Sequence, residues 1–68
     1  MTNVKLLDKK IKDSGKKKKY LAEKLGVSRE GFRNLCRGKS QFRTGQVQIL
    51  CEELNVTDAE EKMEIFFA

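Results

Sequence analysis

Apolar residues recur at helical spacing along the whole of this chain, and no proline interrupts them. The clearest run is Val47, Leu50, Cys51 and Leu54, which occupy i, i+3, i+4 and i+7 and so share one face of a helix. The same spacing recurs at Val4, Leu7 and Ile11, at Leu21, Ala22 and Leu25, and at Phe32, Leu35 and Cys36. A chain patterned this way from end to end buries its apolar side chains as a bundle of helices, and an all-α fold of five short helices is expected.

The stops and starts divide it. Asp13-Ser14-Gly15 ends the first helix, with Gly15 as a left-handed cap. The second runs from about Lys17 to Leu25 and is stopped by Gly26. Ser28 caps the third, which stops at Gly38. A loop from Lys39 to Arg43 tucks Phe42 beneath the domain, and Thr44 caps the fourth helix. Thr57-Asp58-Ala59-Glu60 fits a capping box that opens a fifth helix, with Ala59, Met63 and Phe66 or Phe67 inward and Ile65-Phe66-Phe67-Ala68 fraying into an extended tail.

With 68 residues there is room for one domain, spanning 1–68, with a small core. The mean hydropathy of −0.62 is that of a water-exposed surface. No apolar run approaches the ~20 residues of a membrane span, and no signal-peptide-like segment opens the chain, so a cytoplasmic protein without membrane contact is expected. Two cysteines, Cys36 and Cys51, and no histidine exclude the common zinc sites and the Ser-His and Cys-His nucleophile pairs. No enzyme, metal or other cofactor is expected, and both thiols read as small buried hydrophobes in a reducing compartment.

Charge is unevenly placed. Residues 1–43 hold 14 of the 15 Lys/Arg against four acids, a net +10, whereas residues 44–68 hold Lys62 against six acids, a net −5. That division points the first two-thirds at a polyanion. The acidic third then faces away from it or meets a basic partner.

Within the basic part, Leu21-Ala22-Glu23-Lys24-Leu25-Gly26-Val27-Ser28 followed by Phe32 meets the requirements of a helix-turn-helix. Ala22 is small where two helices cross, Gly26 can take φ > 0 in the turn four residues later, and Val27 and Phe32 pack after it. The stretch resembles the Cro/repressor-type (XRE-like) helix-turn-helix family, and the likeness covers the whole chain. The segment from Phe42-Arg43-Thr44 to Ile65-Phe66-Phe67 looks like the short Cro-like proteins of phages and prophages. Lys18 stands where the family usually has a phosphate-binding Gln, Arg33 where it often has Ser, and Cys36 where an acid or aromatic is common.

The resemblance implies a transcription regulator that binds double-stranded DNA with helix 3 in the major groove and no small-molecule ligand. The family's base readers fall on Arg29, Glu30 and Asn34, with Arg33 beside them. Arg pairs bidentately with guanine, Asn with adenine, and Glu accepts from cytosine. Phosphate contacts are expected from Lys17, Lys18, Lys19, Arg37, Lys39, Ser40 and Arg43. Tyr20 either reaches a phosphate or covers the helix 1–2 junction. A homodimer on a palindromic operator is expected, with Ile65, Phe66 and Phe67 either as the dimer seam or closing the core. The rival reading is an antirepressor that grips another repressor through the acidic third.

Overall fold

The computed structural model describes residues 1–67. The Asn3 Oδ1 accepts the Leu6 amide at 3.1 Å and starts α1, Val4–Ser14. α2 is Lys18–Leu25, α3 Arg29–Cys36, α4 Thr44–Glu53 and α5 Ala59–Phe66. Side-chain caps open α1, α3 and α5. No strand occurs among the described residues, so the fold is all-α as the spacing requires.

Between α2 and α3 the chain turns in three residues. Gly26 adopts φ +71°, a left-handed conformation that costs a residue with a Cβ about 1–2 kcal/mol. Its N–H donates to the Glu23 carbonyl, and the Val27 N–H returns to the Ala22 carbonyl at 3.1 Å. The Ser28 Oγ then accepts the Gly31 amide at 3.0 Å and opens α3. A side chain at Gly31 would place its Cβ 3.2 Å from that Oγ, which ties the glycine to the cap.

The inward stripes meet in one core. Leu7, Leu21, Leu50 and Ile65 are fully enclosed, with Phe32 at 2% exposure, and each such side chain contributes roughly 1.5–3 kcal/mol. Ile11, Ala22, Cys36, Val47, Cys51, Leu54, Val56 and Phe66 complete the cluster, so both cysteines lie in the core with their thiols free. Phe42 is half-buried, its ring 5.2 Å from that of Phe66 in an edge-to-face arrangement. The two ends of the described residues approach each other as well, since the Asn3 N–H donates to the Ile65 carbonyl at 2.6 Å.

Four expectations are corrected. Val4 is 41% exposed, because the first residue of α1 stands beside Gly38 at the surface instead of above the core. Arg43, not Thr44, precedes α4, and its N–H donates to the Gln46 Oε1 at 2.9 Å, which draws the helix start one residue earlier. Asp58, not Thr57, caps α5 by accepting the Glu60 amide. Ala59 and Met63, expected inward, face solvent, and Ile65 joins Phe66 on the buried face of α5.

The fourth correction concerns the extended tail. α5 continues through Phe66 in place of an extended tail, and Ile65 and Phe66 are 0% and 4% exposed. Neither is free to form a seam with another molecule. Phe67, 54% exposed, is the one residue of the three that remains available, while Ala68 lies outside the described residues.

Candidate nucleic-acid interface

Three ion pairs decide which cations stay free. Lys10 meets Glu61 at 2.6 Å, Lys16 meets Glu53 at 2.9 Å, and Lys18 meets Asp8 at 3.4 Å. The first two join lysines at α1 and the α1–α2 turn to carboxylates of α4 and α5, so part of the acidic third is neutralised within the fold. Hydrogen bonds from Lys16 and then Tyr20 hold the Glu53 carboxyl below the usual carboxylate range. The Lys16 and Lys24 ammonium groups stand 5.9 and 5.6 Å from the centre of the Tyr20 ring. Tyr20 is thus engaged by the protein's own α2–α4 side.

The arginines are arranged differently. All four lie between positions 29 and 43, on α3 and the loop after it. None of their side chains makes an ion pair or hydrogen bond among the described residues. An Arg presents five donors in a planar fork suited to phosphate and to guanine, so four unengaged guanidiniums on one short segment have the chemistry to receive an anion.

Three of them border a cleft of about 520 Å³ between α1, α2 and α3, lined by Val4, Asp8, Lys18, Lys19, Arg29, Phe32, Arg33, Cys36 and Arg37. α2 brings Lys18 and Lys19 there because it starts at Lys18, with no side-chain cap closing its first turn. α3 brings Arg29, Arg33 and Arg37 because they repeat every four residues, about 6 Å apart along the axis. Five cations therefore surround an apolar floor with Asp8 as the single carboxylate. Burial pushes the Cys36 thiol up to about 11, Lys18 lowers it and Asp8 raises it, so it stays protonated at neutral pH.

Of the residues expected to meet DNA, the cleft gathers Lys18, Lys19, Arg29, Arg33 and Arg37. It does not include Lys17, which precedes α2 as its N-cap residue, or Arg43, which precedes α4. Glu30 is exposed and Asn34 half-exposed on α3 away from the cleft lining. The amides of Lys39 and Ser40 both donate to the Asn34 carbonyl, which closes the end of α3 and fixes the start of the loop.

Asp8 and Val4 were not foreseen at this site. Their four-residue spacing puts them on one face of α1, but the sequence carries no sign that this face borders α3. Comparison with known protein families, curated proteins and solved structures finds no match to this chain.

Proposed function

We propose that this protein is a sequence-specific regulator that binds double-stranded DNA as a Cro/repressor-type helix-turn-helix, with α2, the turn at 26–28 and α3 as the motif. The observation that carries the proposal is the set of four unpaired arginines on α3 and its following loop, flanked by Lys18 and Lys19. The outward face of α3 enters the major groove, and the surrounding cations neutralise phosphates. The buried Ala22, the left-handed Gly26 and the Ser28 cap support the motif reading.

A single helix covers few base pairs, so the economical arrangement is a homodimer on half-sites about one helical turn apart. Support for a seam lies on α5, where Met63 and Phe67 are 56% and 54% exposed beside a cleft of about 300 Å³ bordered by Val47 and Ala59. The setting is cytoplasmic, as a phage or prophage regulator requires; no described helix is long and apolar enough to cross a membrane.

Selection of binding sites from random duplex DNA tests the reading. A recovered inverted repeat, bound much more tightly than random duplex at physiological salt, is the expected result. Equal affinity for every duplex, or none at all, defeats it.

A further inference from the structure

The residues of α3 fall on three faces. Successive residues of a helix are turned by about 100°, so with Arg29 at zero, Phe32, Leu35 and Cys36 lie near 300°, 240° and 340°. These three are the buried residues of the helix, and the direction opposite their centre is near 110°. Glu30 and Asn34 fall at about 100° and 140°, on the outward ridge. Arg29 and Arg33, at about 0° and 40°, sit on the flank, where they share the cleft with Lys18 and Lys19.

We infer that Arg29 and Arg33 join Lys18 and Lys19 in clamping one phosphate strand, that Glu30 and Asn34 read bases, and that Asp8 weakens the clamp by holding Lys18. The inference rests on the DNA-binding reading. A helix with its side chains is about as wide as the major groove, so a helix that enters ridge-first meets the groove walls with its flanks, and those walls are phosphate backbone. The Lys18–Asp8 pair, at 3.4 Å with both side chains more than half exposed, must open or share its ammonium when a phosphate arrives. Asp8 also repels that phosphate directly, so it lowers affinity for any duplex alike.

The test is fluorescence anisotropy with a selected and a random duplex across a range of salt, on the wild type and on R29A, R33A, N34A and D8N, each checked by circular dichroism. R29A and R33A are expected to weaken both duplexes by the same factor. Each should also make the slope of log K against log salt shallower by about 0.9. N34A should weaken the selected duplex alone and leave the slope intact. D8N should tighten both duplexes by roughly two- to fivefold, the range of an exposed ion pair. A loss of base preference in R29A or R33A with an unchanged slope overturns the division of labour, as does D8N binding more weakly. A wild type that binds neither duplex overturns the DNA reading as well.

Discussion

Lys16 and Glu53 stand 37 positions apart and meet twice, the ammonium donating to the carboxylate at 2.9 Å and to the backbone carbonyl at 2.6 Å. The second bond satisfies an acceptor near the end of α4, where the last carbonyls of a helix lack partners of their own. The four-lysine run is therefore not uniform: its first member holds α4 in place.

A pH dependence follows from that contact. The folded Glu53 carboxyl titrates below its ordinary range, so its contribution is present above that range and disappears as pH falls through the lowered value. Glu53→Gln should melt below the wild type at neutral pH, and the gap should close on acidification. Thermal melts of the two proteins across pH 3–7 measure this; a gap independent of pH shows that the carboxylate charge is not what matters.

The end of α5 offers two adjacent phenylalanines with opposite expectations. Phe66→Ala should cost about 3–5 kcal/mol as a buried aromatic removed, lowering Tm by roughly 4–8 °C for each kcal/mol. Phe67→Asp should leave the melt nearly unchanged and turn a dimer into a monomer in sedimentation. A wild type that sediments as a monomer at high concentration removes the homodimer from the proposal.

Gly31 and Ser28 should be coupled. Ser28→Ala loses the cap and about 1 kcal/mol. Gly31→Ala gains up to about 1 kcal/mol of helix propensity, but its new Cβ crowds the Ser28 Oγ. The alanine should therefore stabilise more in the S28A background than in the wild type. Denaturant titration of the four proteins gives the coupling directly, and strict additivity contradicts it.

Cys36 should resist alkylation. With its thiol pushed up to about 11, the thiolate is scarce at neutral pH, and its burial blocks access besides. Iodoacetamide labelling of Cys36 should track unfolding by denaturant, and rapid labelling of the native protein contradicts the buried placement. Because the folded value is raised, this thiol favours the fold below its ordinary value and that contribution fades as pH climbs toward 11.

Much of the fold was readable because α1 to α4 each carry an apolar stripe at three- and four-residue spacing, and Gly or Ser bounds α1, α2 and α3. The start of α5 was misplaced by one residue because Thr57 and Asp58 both suit a cap, and its inward face lies about one residue's turn from the Ala59–Met63 stripe. The spacing leaves Ile65 and Phe66 open between core and seam. What places them inside is packing against Phe42 and a backbone bond to Asn3, and neither leaves a sequence signal. The cations of the candidate site were visible in the uneven charge, and the cleft supplied the neighbour that unites them. Asp8 stayed hidden because its meeting with Lys18 depends on how α1 lies against α2, a tertiary relation.

The bond from the Asn3 N–H to the Ile65 carbonyl brings the two ends of the described chain side by side. The order in which the helices follow one another is then not essential to their arrangement. A short linker can bridge the ends, and the exposed stretch at 39–41 can be cut to supply new ones, with the core contacts kept. Such a rewired chain assembles the same bundle along a different route, and its altered folding rate separates what connectivity does for speed from what packing does for stability.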